Sequence, residues 1–529
     1  MGQGVSGERA TINATFAAAV AARPDALYLD FDGDRYSYAR TEAEVVRFAR
    51  GLHALGIARG DRVASVLDNG PAAIIAWYAV NRLGAIYVPI NTAYKGDYLR
   101  HQLGDSGARL VICDPDYLAA VIEVAGDCPA LEGIVHTGSV DASLAAPRPL
   151  LSMAGAMIDH GDLPQVEVAP ADLAMLLYTS GTTGMSKGCM VSHNYLCDVS
   201  RRYCETIGRT ADDRMWLPMP LFHITGISAA ILTMQLGSSV AYARRFSLTQ
   251  TWQEIERTRA TFVVLLGTMA LMVANAEDTP AALRCKGQVR TLIGIPMNDG
   301  LAQRWRERFG VTWCSGKIYG STEAGQALNA RYDQALPDSS CGRVNDTFDV
   351  RLVDEDDNEV PDGAVGEIVV RPRKPDVMFS GYWNNPAATI KTWRNLWHHM
   401  GDNARKDEAG NFFFVDRSKD VIRRRGENIS SFEMEGVFNQ HPDIAESAIH
   451  AVASEYMEDD VKATVVLAEG ATLGHAELID WAGPRVPRFA LPRYVEFVAE
   501  LPKNASGRVL KFQLREAGVT ATTWDRERT

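Results

Sequence analysis

The stretch Tyr178-Thr179-Ser180-Gly181-Thr182-Thr183-Gly184-Met185-Ser186-Lys187-Gly188 decides how this chain is read. Gly181 and Gly184 permit tight turns with positive φ, which aim successive peptide N–H groups at one point. The Ser and Thr hydroxyls add donors and Lys187 adds a compact positive charge, a combination suited to phosphate oxygens. An apolar run, Leu173 to Tyr178, delivers the chain to the loop as a strand would. The same composition also suits a plain surface turn, so the loop alone leaves both readings open.

At 529 residues the chain exceeds what one hydrophobic core usually serves, and two or more domains are expected. Its 46% hydrophobic and 23% charged residues are ordinary globular composition. A net charge of −12 argues against a non-specific nucleic-acid binder, because no overall positive field attracts a phosphate backbone. The eight cysteines form no Cys-x-x-Cys pair and no zinc-spaced cluster with His, so neither a structural metal nor a disulfide framework is expected. A reducing cytoplasm fits that pattern. No apolar run approaches the roughly 18 residues of a membrane span, and the N-terminus lacks a basic region followed by an apolar core. Gly2 to Gly7 spells G-x-G-x-x-G, but no strand precedes it, so a dinucleotide site is rejected there. The same residues fit a myristoylation pattern or a flexible tail.

Working outward, residues 11 to 124 alternate helical patterns with short apolar runs. Ala39–Leu55 reads as an amphipathic helix, Arg62–Leu67 as a strand, Pro71–Leu83 as a helix, and Ile86–Ile90 and Arg109–Cys113 as strands. That rhythm predicts parallel sheet covered by helices. Residues 126 to 170 read as irregular connections. Alternation then resumes to about residue 330, with strands near Val240–Tyr242 and Phe262–Leu266. From 342 to 416, short β-like runs between Asp/Gly/Pro turns predict an antiparallel subdomain. The charged stretch Asp416 to Asp420 reads as a hinge, dividing the chain into domains 1–416 and 417–529. The expected fold is α/β: a large N-terminal domain of doubly wound sheets with an antiparallel β subdomain, and a small mobile α+β C-terminal domain.

Six landmarks in order along the chain resemble the acyl-adenylate-forming superfamily of acyl-CoA synthetases, luciferases and peptide-synthetase adenylation domains. These are the opening loop, with Ser186 where proline is commoner; Pro220-Leu221-Phe222-His223; Tyr319-Gly320-Ser321-Thr322-Glu323; His399-Met400-Gly401-Asp402; Asp416 to Glu435; and Lys503 to Lys511. The wording of Asn91–Leu103 and Arg423–Phe432 is similar to the crotonobetaine/carnitine-CoA ligase-like branch. Branch wording does not fix a substrate.

The resemblance implies a two-step ligase using ATP, Mg2+ and CoA. The first step joins a carboxylate to the α-phosphorus of ATP and releases pyrophosphate, so positioning and charge neutralisation dominate. It implies that Thr179, Ser180, Gly181, Thr182, Thr183, Gly184 and Lys187 hold phosphates, and that Thr182 and Glu323 lie near magnesium. It further implies that Gly294, Tyr319, Gly320 and Ser321 border the nucleotide, Thr322 touches the α-phosphate, and Asp402 and Arg417 grip the ribose. His223 is expected to gate an acyl pocket formed with Ile295, Lys317 and Ile318. Rotation about Lys419 is expected to bring in an acceptor channel beside Gly426 and Glu427, and the run Arg423–Arg425 either meets CoA phosphates or is a solvated face. A small-molecule acid, CoA or an amine are the expected partners, with no nucleic acid, no membrane and a homodimer among the expected assemblies.

Two departures stand out. Arg508 occupies the catalytic-lysine position, and a planar guanidinium is no simple substitute for an ammonium. Arg508 does the same work less well, Lys511 or Lys503 replaces it, the acid does not need it, or the change is engineered. Bulky Ile295 and Ile318 and the charge of Lys317 predict a small or polar acid. The alternatives are adenylation of a small oxyacid such as nitrite with transfer to an amine, and a degenerate nucleotide-binding protein without catalysis.

Overall fold

The computed structural model describes residues 9–141, 143–157, 161–179, 185–295, 297–332, 334–417, 421–455, 458–503 and 509–528. Its chain forms two compact units: Met1–Thr92, Leu103–Leu177 and Gly188–Asp416 in the first, and Ala93–Gln102, Tyr178–Lys187 and Arg417–Thr529 in the second.

The first unit is built on three seven-stranded sheets. One carries Arg62–Val66 at its centre, parallel to Ile86–Pro89 and Leu110–Cys113, and ends in Leu173–Thr179 and Lys187–Ser192, the arms of the opening loop. A second runs Trp313–Ser315, Thr291–Ile295, Phe262–Leu266, Arg214–Leu217, Ser239–Tyr242 and Leu27–Phe31, all parallel, closed by the hairpin strand Asp34–Ser37. Their strands are nearly continuous apolar runs because helices cover both faces. Helix Pro71–Arg82 is buried almost all round and carries Pro at its first turn, where a missing N–H costs nothing. Residues 126 to 170, read as connections, contain the strands Gly133–His136 and Leu150–Ser152. Four and three residues are too few to display a period.

The third sheet is antiparallel and starts at Ile318, earlier than the sequence texture suggested. It pairs Ile318–Ser321 with Gly325–Asn329 and continues through Ser340–Val344, Phe412–Arg417, His398–Lys406, Val365–Pro372 and Phe348–Val353. Gly320 and Gly325 hid this hairpin. A Cβ on Gly320 would meet the Gly325 carbonyl oxygen at 1.7 Å, so the strands approach too closely for any side chain.

The second unit packs helices Ser431–Phe438 and His475–Ala482 on a four-stranded sheet led by Ile444–Ala453 and Asp459–Leu467. Ile422, Met434, Phe438, Ile449, Val461 and Val495 form its core, joined by Tyr98. Its hairpin Val421–Arg424/Glu427–Ser430 turns through Arg425 (φ 53°) and Gly426 (φ 80°), the two positive angles of a tight hairpin turn. Among the described residues no helix is long and apolar enough to cross a membrane. All eight cysteines are free.

Candidate active site

The opening loop is anchored at both ends. Ala174 to Leu177 are buried in the strand that leads in, and Lys187 begins the strand that leads out. Ser180, Gly181, Thr182, Thr183 and Gly184 lie outside the described residues, as do Lys419 and Arg508. Ser186 is buried, and its neighbours in the second unit satisfy each of its polar groups. Its N–H donates to Glu433 Oε1 (2.6 Å), Gln102 Nε2 donates to its Oγ (3.1 Å), and His101 Nε2 donates to its carbonyl (2.8 Å).

In the first unit, strand Arg214–Leu217 leads through Pro220, Leu221 and Phe222 to His223, the N-cap of helix Ile224–Leu236. The approach is fixed by Asn69, whose amide donates to the carbonyls of Met219 (3.0 Å) and Ala243 (2.9 Å) and accepts from Leu221 N–H (2.9 Å). Gly226 is obligatory, since a Cβ there would lie 2.2 Å from the Pro220 carbonyl oxygen. The Phe222 and His223 rings sit 4.8 Å apart.

Two motifs far apart in sequence meet at Tyr319 and Asp402. The Tyr319 hydroxyl donates to Asp402 Oδ2 (2.7 Å). Ser321 Oγ accepts from the N–H groups of Glu323 (3.2 Å) and Ala324 (3.3 Å), shaping the turn that follows. The Thr322 carbonyl accepts from Tyr195 (2.8 Å), and Glu323 Oε1 accepts from the Tyr382 hydroxyl (2.9 Å). Burial, and then the charge of Glu323, hold the Tyr382 phenol far above its ordinary range, so it remains a donor. Glu367 does similar work beside Asp402: its carboxylate faces His399 Nδ1 (2.9 Å) and accepts from Gly401 N–H (3.0 Å). This holds the Gly401 turn (φ 77°) that presents Asp402.

Gly294 and Ile295 end the strand Thr291–Ile295. Gly316 packs against it, where a Cβ would come within 2.1 Å of the Gly294 carbonyl oxygen. Ile318 is buried. The Lys317 ammonium donates to the carbonyls of Leu336 (2.6 Å) and Pro337 (2.9 Å), so its charge is engaged by backbone.

A narrow cavity of about 30 Å³ lies between the second sheet and two helices. Met215 and Leu217, Phe262 and Val264, and Ile293 and Ile295 supply one wall, two alternate residues from each of three neighbouring strands. Thr225, Ser228, Ala229 and Leu232 face them at the i, i+3, i+4, i+7 spacing of one helix face, and Tyr203 and Ile207 complete the lining. Ser228 Oγ is buried and has no hydrogen-bond partner among the described residues.

In the second unit, Arg417 ends the strand Phe412–Arg417. Gly426 N–H donates to Glu458 Oε1 (3.1 Å), and Glu427 pairs with Arg424 across the hairpin. Arg424 is buried on Asp460 (3.0 Å), leaving Arg425 exposed at the turn. Lys503 is paired with Glu446 (2.7 Å) and Lys511 with Glu435 (2.7 Å). Sequence reading missed Tyr382, Glu367, Tyr195, Gly316 and Glu433. Only Gly316 left a local signal, a glycine beside a motif.

A large unit of two wound sheets and an antiparallel sheet, with motif carboxylates gathered on the last, and a small α+β unit define an adenylate-forming architecture. The AMP-binding enzyme family matches residues 16–383, and the AMP-binding enzyme C-terminal domain matches 433–508. The chain belongs to the AMP-binding enzyme family. It is 33% identical over 499 residues to a feruloyl-CoA synthase of Amycolatopsis sp, covering 93% of this chain and 96% of that one. It is 29% identical over 503 residues to a crotonobetaine/carnitine-CoA ligase of Salmonella typhimurium, covering 91% and 93%. The amide bond synthetase McbA from Marinactinospora thermotolerans superposes with a TM-score of 0.83 at 25% identity, covering 96% and 99%.

Proposed function

We propose that the chain is an ATP-dependent ligase that adenylates a small carboxylic acid, apolar along most of its length and carrying one polar substituent, and transfers its acyl group to CoA. In the first step a carboxylate oxygen bonds to the α-phosphorus of ATP and the bond to the bridging oxygen breaks, releasing pyrophosphate. In the second the CoA thiol, giving up its proton, bonds to the acyl carbon and AMP leaves.

The observation that carries the substrate class is the apolar cavity with Ser228 in its wall. An unpartnered buried hydroxyl is costly unless something hydrogen-bonds it, and a hydroxylated acid would. From Thr225 to Leu232 the helix face runs about 10 Å, but at about 30 Å³ the cavity as it stands has room for only one or two water-sized groups, so a ring enters only as the walls part. Filling the narrow space requires Met215, the most adaptable of its walls, to move. Carbonyl capture of Lys317 leaves the lining without a cation, which favours an apolar body over a second carboxylate. The identity with feruloyl-CoA synthase supports an aromatic acid with a ring hydroxyl.

In the first unit, Tyr319 is assigned to the adenine, Thr322 to the α-phosphate, Asp402 to the ribose, and Gly294, Gly320 and Ser321 to the nucleotide's borders. His223, Ile295 and Ile318 border the acyl group. Glu323 offers a carboxylate held by a neutral donor, a hard oxygen ligand that fits magnesium, with Thr182 the second ligand by sequence. A magnesium ion held there would neutralise phosphate charge. In the second unit, Lys187 and the loop hydroxyls are assigned to the β- and γ-phosphates, Arg417 to the ribose, Lys419 to the hinge, Gly426 and Glu427 to the acceptor channel, and Arg508 to the acid's carboxylate.

The test is pyrophosphate release over a panel of ferulate, the corresponding acid without the ring hydroxyl, crotonobetaine and dodecanoate, with CoA or an aryl amine as acceptor. Hydroxylated aromatic acids are expected to lead, and Ser228→Ala to lower their kcat/KM about tenfold while sparing the unsubstituted acid. Dodecanoate turnover equal to theirs overturns the substrate class. Amide formation without thioester moves the second step to an amine, as the name of McbA suggests for its own reaction.

A further inference from the structure

Ser186 ends the phosphate loop immediately before Lys187, and each of its polar groups is held. Glu433 takes its N–H at 2.6 Å, Gln102 bonds its Oγ at 3.1 Å, and His101 bonds its carbonyl at 2.8 Å. Two elements supply these groups: the segment Gly96–Ser106 carries His101 and Gln102, and the helix Ser431–Phe438 carries Glu433 in its first turn. Glu433 is 5% exposed. A carboxylate is among the side chains least often buried without a cationic partner, so its placement on the N–H and hydroxyl of one serine demands a reason.

The N–H is the unusual part. Proline, which has no N–H, is the commoner residue at this point of the motif, and with proline here the carboxylate would have no backbone donor to take. Serine supplies that donor and a hydroxyl that also reaches Glu433. The backbone bond fixes the plane of the peptide preceding Ser186, while His101 fixes the peptide that joins Ser186 to Lys187. Gripping one residue by its N–H and C=O determines where the next side chain starts.

We propose that Glu433 is a positioning residue for Lys187: its carboxylate clamps the Ser186 N–H, and with His101 and Gln102 it presets the end of the loop to receive the phosphates of ATP. This rests on the reading of Lys187 as a phosphate ligand. The clamp replaces with a side-chain bond the stiffness that a prolyl ring would give the same position.

The test is a double-mutant cycle of Glu433→Ala and Ser186→Pro, with Glu433→Gln and Ser186→Ala as controls, read by pyrophosphate release with ATP varied. Glu433→Ala is expected to raise the KM for ATP about tenfold with kcat and the acid's KM within about twofold. Glu433→Gln keeps an acceptor oxygen and is expected to restore most of the loss, while Ser186→Ala keeps the N–H and loses little. In the Ser186→Pro background, Glu433→Ala is expected to change KM less than about twofold, because the bond it removes is already gone. Equal losses in both backgrounds, a shift in the acid's KM instead, or failure of glutamine to rescue overturns the proposal.

Amide hydrogen exchange over residues 185–188 reads the clamp without activity. It is expected to speed more than about tenfold in Glu433→Ala and not in Glu433→Gln, and unchanged exchange overturns the proposal. If the native chain releases no pyrophosphate with any acid, the functional reading fails while the exchange result still decides the clamp.

Discussion

Glu323 and Asp402 in the first unit and Glu433 in the second each accept a short hydrogen bond, yet the partners differ in kind. The first two are half-buried and accept from tyrosine hydroxyls, Tyr382 at 2.9 Å and Tyr319 at 2.7 Å. Glu433 is buried and accepts from a peptide N–H. A phenol on a half-buried carboxylate orients the acid without cancelling its charge, which suits an acid meant for a metal or a ribose. A buried carboxylate bonded to backbone instead sets the path of the chain. The first pair are poised to bind, while Glu433 is poised to hold.

The largest effect that can break this contrast is at Glu323. If its carboxylate serves a cation, Glu323→Gln keeps the size and an acceptor for Tyr382 but loses the charge, and pyrophosphate release should fall about a thousandfold, roughly 4 kcal/mol of barrier. Raising magnesium from low to high millimolar should recover part of it. A loss below about tenfold would place Glu323 with the holding residues.

Next comes a pH experiment on Glu433. Burial, only partly opposed by the bonds from Ser186, raises its carboxyl to about 7 from an ordinary 4.5. Tyr94 and Tyr98 face it, and Tyr94 also feels the charge of Glu427. Because the folded state holds the proton more tightly than the unfolded state, the contribution to stability is complete below about 4.5 and is lost as pH rises through about 7. Glu433→Gln has no such term. Its stability relative to the native chain should therefore improve by about 3 kcal/mol between pH 4.5 and pH 8, measured by urea unfolding at both. A pH-independent difference would mean that the native carboxyl does not change its charge there.

The division between legible and hidden features follows from range. Loop and strand grammar exposed Arg62–Val66, Phe262–Leu266 and the whole order of motifs, because each is written in consecutive residues. Tyr319 and Asp402 were named separately, but their bond spans 83 positions and no local pattern announces it. Tyr382, 59 residues from Glu323, belonged to no motif at all. Glu433 stood inside the stretch Asp416 to Glu435, read as a hinge motif, and no residue beside it in sequence singles it out. Only the folded chain brings it to Ser186. Lys317 is the reverse case: its charge invited a role in the pocket, and the two carbonyls that engage it come from residues 336 and 337, in a loop without distinguishing sequence.

The smallest effect sharpens the contrast most. Tyr319→Phe preserves the ring for stacking and removes only the hydroxyl on Asp402 Oδ2. If the phenol merely occupies the carboxylate until a ribose arrives, the variant binds ATP as well as the native chain or slightly better. If instead it holds Asp402 so that Oδ1 meets the ribose, the KM for ATP rises about threefold with kcat unchanged, a cost of roughly 0.6 kcal/mol. We expect the rise, because Glu367 fixes the adjoining Gly401 turn and the Tyr319 hydroxyl fixes the carboxylate that this turn presents. The first unit would then share the second unit's method in miniature: a hydroxyl orients the acid that binds, as Glu433 orients the chain that carries Lys187.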